Sequence, residues 1–372
     1  MSEAPPDKPE RNSPLPATPT PHSLASLLKT IWLFTADDFK TFVLPETVFG
    51  ICAALSGPLL TPNPTPHLVD VLARIPVVIL WNWLNLLVFN LSNQRYPSSV
   101  AEDQINRPWR PLPAGRISII QTRHLLLLAI PVVFGLTVYL GAWEETALLY
   151  IFNWVYNDIG GGDDGYILRN VLLALAFSQY HKGSLRVGSR AGFDILPRTW
   201  GWIAITSALI GTTMHIQDIK DQEGDRAKGR RTVPLVLGDG LARWSVAVPV
   251  VVWSVACPLF WGVGMLGYLL PVGVGGAIAG RILLLRERRA DKRTWKMWTA
   301  WTAFIWMMPL VRDYSVLVRE VIKITVLVAW SGLVKRIVLG RIEVDGFCSM
   351  FIPSWRWRRK PSIHWFGQHH RL

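Results

Sequence analysis

Gln217-Asp218-Ile219-Lys220-Asp221-Gln222-Glu223-Gly224-Asp225 is the stretch on which the reading of this chain turns. An apolar run from Trp202 to Ile216 leads straight into it. On a helix, Asp218, Asp221 and Asp225 stand at i, i+3 and i+7 and share one face within roughly 60°. Three carboxylates on one stripe at the mouth of a membrane helix repel one another unless something cationic lies between them. Mg²⁺ holding a diphosphate suits the pattern, because its shell is built from hard oxygen ligands and often from substrate phosphates. A solvated acidic helix end is the plainer reading. Against it, Arg226, Lys228, Arg230 and Arg231 follow at once. That mixture fits a metal-bridged polyanion better than an ordinary solvated face.

Composition narrows the class. Half of the 372 residues are hydrophobic and the mean hydropathy is +0.27, too apolar for an ordinary soluble domain. Nineteen tryptophans fit aromatic belts at two membrane interfaces. A formal charge of +13 admits nucleic acid as a partner, but no nucleic-acid motif is present. In so apolar a chain, Lys and Arg read as loop charges facing the cytoplasm and anionic lipid. Cys52, Cys257 and Cys348 are scattered and odd in number, which excludes a disulfide framework and a cysteine metal cluster. Residues 1–22 are rich in Pro, Ser and Thr and lack an apolar core segment. A disordered cytosolic tail is expected there, and no cleavable signal peptide.

The fold expected is all-α and integral to the membrane, crossing it several times. Apolar spans fall near 42–60, 69–92, 118–141, 144–157, 167–187, 199–217, 241–263, 265–284 and 295–311. About nine spanning helices follow, each needing about 20 mostly apolar residues; the 144–157 span is short. Three segments are expected: a disordered or amphipathic stretch over 1–35, one catalytic domain over 36–312, and an extra apolar helix with a basic tail over 313–372. In the last, an apolar stretch at 316–339 precedes Trp355-Arg356-Trp357-Arg358-Arg359-Lys360, a segment suited to anionic headgroups. The endoplasmic reticulum is the default compartment for such a protein in a eukaryote.

Two polar loops interrupt the spans, and both set acids beside bases. One runs from Asn90 to Arg116 and contains Glu102-Asp103-Gln104-Ile105-Asn106-Arg107-Pro108-Trp109-Arg110-Pro111-Leu112-Pro113-Ala114-Gly115. The other is 217–240. A pseudo-symmetric bundle would bring them face to face, each forming one wall of a metal–diphosphate site with Arg and Lys on the phosphate oxygens.

Arg110-Pro111-Leu112-Pro113-Ala114-Gly115, taken with Asp218, Asp221 and Asp225 and with Gly229-Arg230-Arg231-Thr232-Val233-Pro234, resembles the UbiA superfamily of intramembrane prenyltransferases over roughly residues 35–311. The resemblance implies nine transmembrane helices around a cavity that opens laterally to lipid. It also implies two acidic motifs that bind an isoprenyl diphosphate through Mg²⁺. The first motif departs from the family's Asn-Asp-x-x-Asp-x-x-x-Asp. Asn93 matches its Asn, but Gln94, Pro97 and Ala101 stand where acids are usual. The acids have moved to Glu102 and Asp103. This drift, with Tyr156-Asn157-Asp158-Ile159-Gly160-Gly161-Gly162-Asp163, resembles a fungal secondary-metabolism branch that includes membrane-bound terpene cyclases.

The resemblance assigns one Mg²⁺ site to Asp218, Asp221 and Asp225, the catalytic set, and another to Asn93, Glu102 and Asp103. Lys220, Arg107, Arg110, Arg230 and Asn93 are the expected diphosphate contacts. Each base alone could equally be an interfacial charge, and Glu102 with Asp103 could simply cap a loop. Mg²⁺, Lys and Arg would stabilise the departing pyrophosphate, and the allylic cation left behind would need shielding from water. The leading expectation is transfer of the prenyl group to a small aromatic or polyketide-type acceptor in secondary metabolism. Cyclisation of the prenyl diphosphate alone is the alternative, and a scaffold or transporter without chemistry the third. Lesser features stay open. Asn82 and Asn85 either line the pocket or bond neighbouring helices. Asp158, Asp163 and Asp164 read first as an ordinary loop, and His215 as a helix–helix hydrogen bond. Tyr156 and Tyr180 offer π faces to a cation or sit at the interface.

Overall fold

The computed structural model describes residues 23–64, 66–190 and 195–313. Among them every regular element is helical. In order, the α-helices are α1 (Leu24–Asp38), α2 (Leu44–Leu55), α3 (Leu68–Leu72), α4 (Ile75–Gln94), α5 (Pro97–Asn106), α6 (Ile119–Tyr139), α7 (Trp143–Asn157) and α8 (Gly161–Asp164). They continue with α9 (Tyr166–Ser189), α10 (Pro197–Thr213), α11 (Ile216–Lys228), α12 (Val233–Leu237), α13 (Asp239–Trp261), α14 (Met265–Leu284), α15 (Arg288–Trp306) and α16 (Met308–Asp313). Ser23 caps α1 by accepting from the Ser26 amide, so the helix begins inside the 1–35 segment and crosses its expected end. The expected apolar helix at 316–339 and the basic tail lie outside the described residues.

Each expected span contains a helix. Among the described residues, four stretches are long and apolar enough to cross a membrane: Leu68–Gln94, Ile119–Tyr139, Asp239–Trp261 and Met265–Leu284. The others fall short for two physical reasons. The α2, α7 and α10 helices are 12, 15 and 17 residues long, below the length of a straight crossing. The α9 and α15 helices are long enough but carry polar groups inward. Buried Arg169, His181 and Ser184 lie on α9, and buried Asp291, Thr294 and Thr299 on α15. These helices wall a polar interior, so an apolarity measure alone passes over them.

The tryptophans also divide. Trp81, Trp202, Trp261, Trp301 and Trp306 are almost fully buried and form core, not belt. Their neighbour Trp298 donates its indole N–H to Thr213 Oγ1 at 3.0 Å, and Trp301 donates to Ser254 Oγ at 3.0 Å. A buried indole with a hydroxyl partner avoids the cost of an orphaned donor. Glu46 on α2 and His181 on α9 approach to 3.2 Å with Phe49 stacked on the imidazole at 4.0 Å. That buried polar pair fixes one helix against the other. His215 bonds Ser245 Oγ on α13 at 2.9 Å, as a helix–helix contact. Asn82 accepts from Ser184 on α9 at 3.0 Å, while Asn85 faces a cavity.

Candidate active site

The two polar loops do meet. The α5 and α11 helices pack side by side, and the contact needs a glycine. A Cβ on Gly224 would stand 2.1 Å from Asn106 Nδ2, so a side chain there would displace the Asn106 amide from the seam. Asn106 instead donates to the Asp221 carbonyl at 3.2 Å. Arg288, the first residue of α15, clasps the pair. It donates to Asn106 Oδ1 at 2.8 Å and to the Lys220 carbonyl at 3.1 Å.

Across this seam runs a ladder of ion pairs. Arg107 donates to Asp221 Oδ2 at 2.9 Å. Arg230 joins three elements: Glu102 Oε1 on α5 at 2.8 Å, Asp163 Oδ1 on α8 at 2.9 Å and Asp225 Oδ1 on α11 at 3.2 Å. Arg110 holds Asp103 with both carboxylate oxygens at 3.0 and 3.1 Å, and also reaches Asp38 at 3.4 Å. Lys228 lies 3.5 Å from Asp163 and 3.8 Å from Glu102. Lys220 is taken by Asp221 and by the face of Trp295 at 4.9 Å. Of the bases that follow the acidic stretch, Arg226 and Arg231 are exposed and stay out of the ladder.

Neither expected metal trio gathers. Among the described residues no three acidic, His or Cys side chains stand close enough to cage a metal. Asn93 is turned sideways into Asn157 at 2.7 Å, and Asn157 bonds on to Asn153 at 2.6 Å. Glu102 and Asp103 point to Arg230 and Arg110, on different sides of α5. On α11, Asp221 turns to Arg107 and Lys220 and separates from the other two. What remains is a pair. Asp218 Oδ2 and Asp225 Oδ2 are both buried without a hydrogen-bond partner, although each carboxylate's other oxygen is bonded to an arginine. Burial, reinforced by the charge on Asp218, pushes the Asp225 carboxyl up to about 7. Asp221 behaves oppositely: burial pushes it up, but Arg107 and Lys220 outweigh that and hold it down to about 2. Two buried, unpaired carboxylate oxygens fit Mg²⁺, which takes one or two carboxylates and completes its shell with water and phosphate.

Sequence reading passed over Arg169. It rises from the first turn of α9, 4 % exposed, and donates to Asp218 Oδ1 at 3.0 Å and to the Tyr156 hydroxyl. The available signal was a charged residue at the edge of an apolar helix, which defaults to function. Asp163, read as loop, proves to be a rung of the ladder. Asp158 is a side feature, bonded to Arg95 and to the Tyr96 hydroxyl at 2.8 Å.

Below Tyr156 a narrow cavity opens between α4, α7 and α9. Phe89, Phe152, Tyr156, Leu172 and Tyr180 supply much of its wall, with Asn85 and Asn153 as polar points. The site is thus two-storeyed: carboxylates and bases above, aromatic surface below, with Arg169 and Tyr156 at the junction.

Residues 47–308 match the UbiA prenyltransferase family. The chain is 31% identical over 240 residues to the fumagillin beta-trans-bergamotene synthase of Aspergillus fumigatus, covering 63% of this chain and 76% of that protein. It is 27% identical over 299 residues to a polyprenyl transferase of Hericium erinaceus, covering 76% and 94%. A solved UbiA homolog from Archaeoglobus fulgidus, bound to GPP and Mg²⁺, superposes with a TM-score of 0.51 at 14% identity over 76% of this chain and all of that one, a likeness of fold.

Proposed function

The chain belongs to the UbiA prenyltransferase family, and on that premise we propose that it ionises an isoprenyl diphosphate within the membrane and closes the resulting cation into a ring. The observation that carries this reading is the continuity of the site. An anion-binding ladder with two unpaired carboxylate oxygens stands directly over an aromatic cavity. Mg²⁺, when bound by Asp218 and Asp225, would neutralise the diphosphate and the charge that develops on its bridging oxygen. Arg169, Arg107, Arg230 and Lys228 would hold the diphosphate oxygens. Their own carboxylate partners keep them in place beforehand, so little reorganisation accompanies charge separation. The C1–O bond then breaks and its electron pair leaves with pyrophosphate. The allylic cation faces Tyr156, Phe89 and Phe152, whose rings stabilise positive charge and exclude water. A double bond of the same chain supplies the electrons for ring closure, and loss of a proton ends the sequence.

This ordering reverses the sequence expectation, in which transfer led. The likeness to the bergamotene synthase and the aromatic lining favour a substrate that reacts with itself. Transfer to a small acceptor is the second reading. It is favoured by Asn85 and Asn153 in the cavity wall, whose amides could orient a phenol, and by the likeness to the polyprenyl transferase. The test is an assay on membranes carrying the full chain, with Mg²⁺ and C10, C15 or C20 prenyl diphosphates and no acceptor. A cyclic terpene that disappears with EDTA supports cyclisation. Turnover only after phenolic acceptors are added supports transfer. Absence of pyrophosphate in both arms refutes the diphosphate reading.

A further inference from the structure

The outer side of α15 is a stripe of unpaired positive charge. Arg289, Lys292, Arg293 and Lys296 are all exposed and fall within an arc of about 100° at helical spacing. The opposite face holds Asp291, Thr294, Trp298 and Thr302, all buried, so the helix cannot turn its bases inward. Among the described residues none of the four bases has an acid within ion-pair distance, and Asp291 is taken by Arg243 at 2.8 Å. Two further elements extend the stripe. Lys40, also exposed, comes from the π-helical turn Phe39–Val43 between α1 and α2. Lys292 and Lys40 both repel the charge on Lys296, and Asp37 offsets them. Asp37 is itself shared, because it accepts from the Trp109 indole at 2.9 Å and lies 3.9 Å from Arg110. Lys292 stands over the Trp109 ring at 5.6 Å, and Trp109 is 46% exposed. Like charges gathered so closely cost energy unless an anion joins them.

The place of the stripe in the fold says which anion. The α14 helix, Met265–Leu284, is long and apolar enough to cross a membrane, and Arg289 is the fifth residue after its end. The second half of α15 goes on to Trp301, Ile305 and Trp306, all buried in the bundle. The bases therefore stand at the boundary where an apolar span gives way to water, which is the layer of lipid headgroups. An exposed indole beside lysines suits that layer, since its ring is amphipathic. We propose that the outer face of α15, extended by Lys40 and Trp109, is a binding surface for the headgroup phosphates of anionic phospholipid. Each Lys or Arg near an anionic lipid surface contributes about fivefold in affinity, and this surface offers several with no acid to neutralise them. The proposal stands on the membrane boundary and the charge pattern, and it does not depend on which reaction the protein runs.

The experiment is native mass spectrometry of the full chain in detergent, titrated with phosphatidylserine, with phosphatidylcholine and, separately, with inorganic pyrophosphate. The wild type is expected to bind phosphatidylserine about twentyfold or more tighter than phosphatidylcholine. Lys292→Gln combined with Lys296→Gln is expected to weaken phosphatidylserine binding about fivefold per charge removed, while Lys292→Arg with Lys296→Arg keeps it. Arg226→Gln with Arg231→Gln, which removes equal charge from exposed positions outside α15, leaves the affinity unchanged. A melting temperature like that of the wild type certifies each variant, and Lys292→Gln alone reads the same effect at about fivefold if the double variant does not fold. Equal affinity for the two lipids overturns the proposal. So does a preference that survives the loss of both lysines, or one that falls equally with Arg226 and Arg231 and so follows net charge alone. Displacement of phosphatidylserine by equimolar pyrophosphate makes the stripe a site for free anions and overturns the lipid assignment.

Discussion

The two walls of the site, α5 and α11, carry similar charge in sequence and differ in what the fold does with it. On α5, both acids are spoken for: Glu102 by Arg230 and Asp103 by Arg110. On α11, Asp218 and Asp225 each keep one buried oxygen without a partner. A carboxylate already satisfied by guanidinium has little to offer a cation. An unsatisfied one in a low-dielectric site has much to gain. On the proposed reading, α11 would hold the metal and α5 would position the bases. It also gives the drifted first motif a rationale, because an acid that only anchors arginine need not keep metal-ligand spacing.

The comparison can be broken most directly on α11. Asp218→Asn combined with Asp225→Asn is expected to lower pyrophosphate release by about a thousandfold or more, as EDTA should, because charge stabilisation of the leaving group is lost. A residual rate within tenfold of wild type would place the metal elsewhere. Arg169→Met is expected to cost about a hundredfold, in line with the loss of one preorganised donor. A single-turnover assay that finds the loss only in substrate affinity would reduce Arg169 to a binding contact. On the other wall the main effect should be on stability. Asp103→Asn keeps an acceptor but leaves Arg110 with only the half-buried Asp37 and Asp38 as charge partners, and is expected to destabilise by about 1–3 kcal/mol, read as a drop in melting temperature in detergent. Gly224→Ala pushes Asn106 out of the seam and should cost about 1–3 kcal/mol while slowing turnover through misaligned walls. Glu102→Gln keeps a hydrogen-bond acceptor for Arg230 and should lower turnover by no more than about tenfold. A larger loss there, with Arg230 still in place, would restore α5 as a metal wall.

Much of this was legible in the chain because it is local. The i, i+3, i+7 spacing of Asp218, Asp221 and Asp225 is a property of one helix, and α11 forms over 216–228. Apolar runs mark helices wherever they occur, since the backbone must bond internally in lipid. The meeting of the two polar loops was legible too, but not the pairing of particular side chains across it. Asp221 could not be separated from its neighbours until Arg107 was seen against it, and the bond from Asn93 to Asn157 is equally invisible in the chain order. Arg169 was missed because it bears no motif. Its role comes from lying 49 positions from Asp218 in sequence and 3.0 Å away in space. Among the described residues only four helices stand out by length and apolarity together, because others, such as α9 and α15, carry polar groups inward.

By itself, then, the sequence determined an all-helical, membrane-class chain with an acidic helix and a basic loop poised for diphosphate, because helix periodicity and apolar run length are encoded residue by residue. Only the tertiary structure decided which carboxylates remain unpaired and which arginine reaches them. Those depend on contacts between helices that the chain order keeps apart, and the low dielectric of the packed interior turns such contacts into the difference between a satisfied ion pair and an open ligand.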